Sequence, residues 1–169
     1  MNDTSSLDTI QPLTLRAETA AEMMMSNPVS IRDNATVQEA VAFFTDKGFS
    51  AAPVIDEAGR PIGVLSRTDI IVHDRERPAP VPGYYEEAGP ISPSAERAPR
   101  VMQSGCVDTT RVADIMTPVV FSVTPEAPAS RVVAEMVDLR VHRLFVVDGS
   151  GVLIGVVSAL DILKRLLPS

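Results

Sequence analysis

The sequence predicts an α/β (α+β) fold in which two copies of one strand–helix–strand–strand–helix unit pack about a pseudo-twofold axis. Three observations lead there. Shifting the chain by about 92 positions aligns residues 20–71 with 112–163 without a gap, and about 16 of about 52 positions are identical. Inside each copy, apolar residues at helical spacing give way to two short apolar runs split by turn residues. The chain is 45% apolar and 22% charged, enough for a core, yet only 4% aromatic with no Trp, so Val, Ile, Leu, Ala and Met must build that core.

Each copy opens on an extended piece, residues 28–31 and 119–123. Val37, Ala40, Val41 and Phe44, then Ala129, Val132, Val133 and Met136, recur on one helical face. Thr36-x-x-Glu39 supplies a capping box for the first helix, and Pro128 suits the opening turn of the second. Hairpins follow: residues 52–55 and 61–65 around Asp56-Glu57-Ala58-Gly59, then 144–147 and 152–157 around Asp148-Gly149-Ser150-Gly151. A helix closes each copy, from about Arg67 and about Ala159.

A unit of about 50 residues exposes too much apolar surface to stand alone, so the two copies form one integrated domain. The 169 residues divide into a tail with a lead-in helix (1–19), a first repeat (20–73), a connector (74–111) and a second repeat (112–169). Pro78, Pro80, Pro82, Pro90, Pro93 and Pro99 keep the connector out of regular structure. Its Tyr84 and Tyr85 either stack on a base as a lid or pin the loop to the body.

A net charge of -7 without a basic patch argues against nucleic acid as a partner. Cys106 is the single cysteine, which excludes an intrachain disulfide, and His73 and His142 are the only histidines, so neither a zinc cluster nor a Ser/His/Asp or Cys/His catalytic set is expected. His73 suits a helix C-terminus. No Walker loop or Gly-x-Gly-x-x-Gly occurs. There is no run of about 18 apolar residues and no signal-like N-terminus, so a cytoplasmic chain with no membrane partner, no catalytic residue and no metal is expected.

The repeated closures Gly63-Val64-Leu65-Ser66-Arg67-Thr68-Asp69 and Gly155-Val156-Val157-Ser158-Ala159-Leu160-Asp161 place a Ser at a strand-to-helix junction and an Asp three residues on. One reading is a pair of capping boxes. The other is a ligand site in which the junction's N–H groups and hydroxyl meet phosphate while the carboxylate accepts from a ribose diol.

Together with the paired leads Glu22-Met23-Met24 and Val112-Ala113-Asp114-Ile115-Met116-Thr117-Pro118, and the segments Pro53-Val54-Ile55-Asp56 and Phe145-Val146-Val147-Asp148, these closures resemble the cystathionine β-synthase (CBS) domain pair. The resemblance implies a regulatory module that binds adenosine-containing ligands, AMP or ATP foremost and otherwise ADP or S-adenosylmethionine, in two clefts, modulating a partner protein. It implies that Asp69 and Asp161 grip ribose hydroxyls, that Ser66 and Ser158 meet phosphate, and that the backbone of Pro28, Val29 and Ser30 and of Val119, Val120 and Phe121 lines the adenine. No cofactor is implied.

Departures between the copies predict unequal clefts. His142 and Arg143 precede the middle strand of the second copy where the first has Ser50 and Ala51, so the second should grip phosphate more tightly, with Arg67 as a compensating cation in the first. Phe145 stands where the family usually has Pro. Two other functional classes stay open: a dimeric interaction scaffold with empty clefts, and divalent-cation sensing, as the family sometimes performs in magnesium transport. A homodimer is expected in every case, through a terminal helix bearing Leu160, Leu163, Leu166 and Leu167 and through Met23, Met24 and Met25, which are either core or a soft surface.

Overall fold

The computed structural model describes residues 12–76 and 108–168. Two sheets, each backed by helices, form the body. The first is β3 (Ile31–Arg32), β4 (Ala51–Ile55) and β5 (Pro61–Ser66), with β3 parallel and β5 antiparallel to β4. Helices α2 (Val37–Lys47) and α3 (Arg67–Glu76) cover one of its faces. The second runs in the order β2 (Met25–Ser26), β8 (Leu153–Ser158), β7 (Arg143–Val147), β6 (Ser122–Val123), backed by α5 (Ala129–Asp138) and α6 (Ala159–Leu163).

Local chemistry explains these elements. Thr36 Oγ1 accepts from Glu39 N while Glu39 Oε2 accepts from Thr36 N at 2.7 Å, which starts α2, and Gly48 ends it at φ 69°, a left-handed position that favours glycine. The hairpin turns use Gly59 at φ 80° and Gly151 at φ 82°, so both copies turn with the same backbone. Pro128 caps α5 from just outside it.

The two repeats are joined by exchange. Helix α1 (Ala20–Met23), from the first repeat, buries Ala20 and Met23 among Val123, Val132, Leu144, Val146 and Val157 of the second. Helix α4 (Val112–Ile115), from the second, buries Val112 among Val37, Phe44, Val54 and Leu65 of the first. The hydrogen bonds come in pairs related by the repeat offset. Ala20 N donates to Ala127 O as Val112 N does to Ala35 O, and Ala21 N donates to Pro125 O as Ala113 N does to Asp33 O. This reciprocity is the pseudo-twofold relation the repeat predicts.

Past each leading helix the chain lays one more strand on the other repeat's sheet. Met25 and Ser26 pair with Val156 and Gly155, and Thr117 pairs with Val64 through two backbone bonds of 2.9 and 3.0 Å. The crossing chain passes so close that a Cβ on Gly63 would stand 2.7 Å from Thr117 O and 2.8 Å from Met116 Sδ, and one on Gly155 would strike Met24 Sδ. Here the absence of a side chain is a packing requirement. The pairing breaks at the turns: Leu153 N donates to Gly59 O, but the equivalent donor, Pro61, has no N–H, and Arg60 Nε reaches Ser150 O instead.

One expectation needs correction. Of the first 19 residues, 1–11, where the lead-in helix is also expected, lie outside the described ones; in the rest, β1 (Leu13–Leu15) pairs antiparallel with β9 (Leu166–Pro168). Leu166 and Leu167 therefore lie in a strand, and the terminal helix ends at Leu163, with Arg165 Nη2 bonded to Glu22 O at 2.7 Å to hold the chain end in place. Both segments lie outside the aligned stretches 20–71 and 112–163, which is why the repeat pattern says nothing of them. The methionines divide: Met23 is core, Met24 packs on Gly155, and Met25 is exposed.

Gly63→Ala should cost about 1–3 kcal/mol, because the obstacle is a backbone carbonyl that cannot rotate away, whereas Gly149→Ala, which meets open space, should stay within about 0.5 kcal/mol of wild type. Urea unfolding of the two variants checks the contrast.

Candidate functional site

Facing residues of antiparallel strands share a face of the sheet. Ala52 and Leu65, and Leu144 and Val157, are partners buried beneath the helices. Their neighbours Ala51 and Ser66, and Arg143 and Ser158, are also partners and therefore lie together on the opposite face. There, at one end of each sheet, the expected residues gather.

Both Ser–Asp pairs form closed capping boxes. Ser66 donates from N and Oγ to Asp69 Oδ2 at 2.7 and 2.8 Å, and Asp69 N returns a bond to Ser66 Oγ at 3.3 Å. Ser158 and Asp161 repeat this at 3.0, 2.5 and 3.3 Å. In each pair Oδ2 takes both Ser bonds, which leaves Oδ1 for another donor. Asp161 Oδ1 has Lys164 Nζ at 3.5 Å; among the described residues none bonds Asp69 Oδ1. Burial pushes the Asp161 carboxyl up, but the Ser158 hydroxyl and N–H and the Lys164 ammonium outweigh it and hold the group below its ordinary value.

The segments expected to line a base are the links between the sheets. Asn27 N bonds Ile154 O on the second sheet while Ile31 lies on β4 of the first, so Pro28, Val29 and Ser30 span the gap. Val119, Val120 and Phe121 span it in reverse, from Thr117 on the first sheet to the bond between Phe121 O and Phe145 N on the second. Phe145 shares a face with Arg143 and is 7% exposed, so its ring floors the second cleft where Pro53 stands in the first.

Two expected residues lie elsewhere. Arg67 Nη2 donates to Phe44 O at 3.1 Å, in the last turn of α2, where Phe44 O also accepts from Gly48 N and the negative end of the helix favours a cation; the guanidinium thus lies in the helix layer. His142 is one residue before Arg143, so alternation sends its ring to the helix side, where with Met136, Val141, Ile162 and Leu163 it lines a groove of about 430 Å³. Arg143 remains exposed on the cleft face, with no bond to another described residue. Lys164 escaped sequence reading, although its spacing of three from Asp161 on a helix was the available signal.

His73 Nε2 meets Asp108 Oδ2 at 3.1 Å, which ties the end of α3 to the point where the described chain resumes. Tyr84 and Tyr85 lie outside the described residues. Among the described residues no group of three or more His, Cys, Asp or Glu could hold a metal ion, and no helix is long and apolar enough to cross a membrane.

Twin sheets that exchange their leading segments and end in matched Ser–Asp junctions define a paired-repeat module. The chain belongs to the CBS domain family, whose profile matches residues 20–76 and 112–168. It is similar to the 5'-AMP-activated protein kinase subunit gamma-3 of Sus scrofa, 27% identical over 82% of this chain but only 23% of the subunit. It superposes on CBSX2 in complex with AMP with a TM-score of 0.61 at 21% identity, covering 88% of this chain and 95% of that one. The cytosolic domain of the Mg2+ channel MgtE in complex with ATP gives 0.60 at 28% identity, covering 89% and 49%. The chain thus spans about a quarter of the kinase subunit and half of the channel domain.

Because the folded Asp161 carboxyl ionises more readily than the unfolded one, its bonds favour the fold above the ordinary aspartate value of 3.8, and that contribution is lost as falling pH titrates the folded group. The stability gap between wild type and Asp161→Asn should therefore be level from about pH 5 to 7 and narrow below about 3.8, as denaturant melts across pH will register.

Proposed function

We propose that this chain is a regulatory, non-catalytic module that binds adenosine-containing ligands in its two clefts and changes the activity of a partner protein. The observation that carries this reading is the twofold convergence of a Ser–Asp junction with an inter-sheet link on one sheet end, the cleft face of each repeat. In the second cleft Ser158 and Arg143 would meet phosphate and Asp161 Oδ1 a ribose hydroxyl, with the links supplying backbone to the adenine. The AMP and ATP complexes among similar structures support AMP or ATP as first candidates.

The closed capping boxes favour a second reading, in which Ser-x-x-Asp only starts a helix and the protein is an interaction scaffold. A thermal-shift series with AMP, ADP, ATP, S-adenosylmethionine and Mg2+ separates the two, since a ligand of the folded state raises apparent stability by mass action. The module reading expects a rise with at least one adenosine ligand that Asp161→Ala abolishes. A folded protein that responds to none of them is the scaffold, and a response to Mg2+ alone would indicate cation sensing.

Both repeats also leave apolar side chains on the helix side: Val41, Ile71 and Val72 in the first, and Val137, Leu160 and Leu163, at 59–69% exposure, in the second. A second copy of the chain is the proposed cover, because the repeat makes the two faces alike. Light scattering should give a dimer that Leu163→Glu dissociates; a monomer at high concentration would defeat it.

A further inference from the structure

We propose that the two clefts sort adenosine-bearing ligands by charge, the second repeat taking a phosphorylated ligand and the first one without phosphate, such as a nucleoside or its neutral thioether. This rests on the adenosine-binding reading above and adds the chemical class that each cleft accepts.

Superimposing the repeats by their offset shows a backbone kept and a charge set changed. Ser66 and Ser158 hold equivalent places, as do Asp69 and Asp161, with nearly the same bonds. Around Asp161 stand two cations, Lys164 at 3.5 Å from Oδ1 and Arg143 as the cross-strand partner of Ser158. At the equivalent positions of the first repeat stand Val72 and Ala51, the latter the cross-strand partner of Ser66. The first repeat has a cation of its own in Arg67, but that guanidinium bonds Phe44 O in the helix layer. A phosphate entering the first cleft would meet the Asp69 carboxylate without either of the cations that the second repeat sets at the equivalent positions, and like charges in a partly desolvated site repel strongly. A ribose diol needs only an acceptor, and Asp69 Oδ1 is one. In the second cleft a ligand without phosphate would leave Arg143 unpaired, while a phosphate would take bidentate bonds from it.

Isothermal titration of the full chain with AMP and with adenosine tests the sorting. AMP should occupy about one site per chain and bind at least about tenfold more weakly to Arg143→Gln. Adenosine should bind a chain already saturated with AMP, and Asp69→Ala, which removes the acceptor, should abolish that binding. Ala51→Arg, which supplies the missing cation, should raise AMP occupancy from about one site to about two. Displacement of adenosine by AMP, two AMP sites in the wild-type chain, or no gain with a folded Ala51→Arg would each overturn the proposal. If neither AMP nor adenosine binds the folded wild-type chain, the sorting proposal falls; if ADP, ATP and S-adenosylmethionine also fail to bind, the adenosine reading falls with it, an outcome distinct from binding without sorting.

Discussion

The rest of the structure depends on the exchange of leading segments between the repeats. Without α4, the first repeat loses Val112, which is fully buried among Val37, Phe44, Val54 and Leu65; without α1, the second loses Ala20 and Met23. Removing such groups leaves cavities that neighbouring side chains fill only in part, at about 2–5 kcal/mol each for the larger ones. That loss is a large share of what holds a small domain folded. Neither repeat is therefore a unit that folds first and docks later, and the 31 residues of sequence between the described segments, 77–107, join two halves already tied by backbone bonds.

The same crossing places the clefts. Thr117 is fixed on Val64, two residues before Ser66, and four residues later Phe121 is fixed on Phe145, beside Arg143. One short stretch of chain thus runs from the sheet of the first cleft to the floor of the second. A ligand wedged against Val119 and Val120 would press on both sheets, and any difference in its affinity for two spacings of those sheets would become a difference in how the repeats pack. Interdigitated elements respond to such a wedge by moving as bodies, because a close-packed interface has little slack.

Periodicity made the repeated parts legible. The short apolar runs 52–55, 61–65, 144–147 and 152–157 and the helical spacing of Val37, Ala40 and Phe44 identified the elements, and the shared glycines marked their turns. Gly63 and Gly155 were visible as identities, but the cause, a chain crossing from the other repeat, is a tertiary fact that no local pattern encodes. β1 and β9 were missed for a related reason: short strands that pair the two ends of the chain have no copy to compare with and too few residues to show a period. Among the candidate site residues, the Ser-x-x-Asp spacing of Ser66 and Asp69 and of Ser158 and Asp161 was legible as a capping box, and the structure forms both boxes. Arg67 and His142 were misplaced because proximity in sequence does not fix the face, and at a strand end one residue separates the cleft from the helix layer.

Duplication explains why backbone and charge behave so differently here. Besides apolar residues, the positions kept identical across about 92 residues include those where geometry leaves little choice: a glycine under a crossing chain, an Asp and a Gly in a turn, a Ser and an Asp that start a helix. An exposed residue beside the cleft carries no such constraint, so Ala51 and Arg143, or Val72 and Lys164, can diverge without disturbing the fold. One skeleton with two charge sets is the expected product, and its halves remain mechanically one.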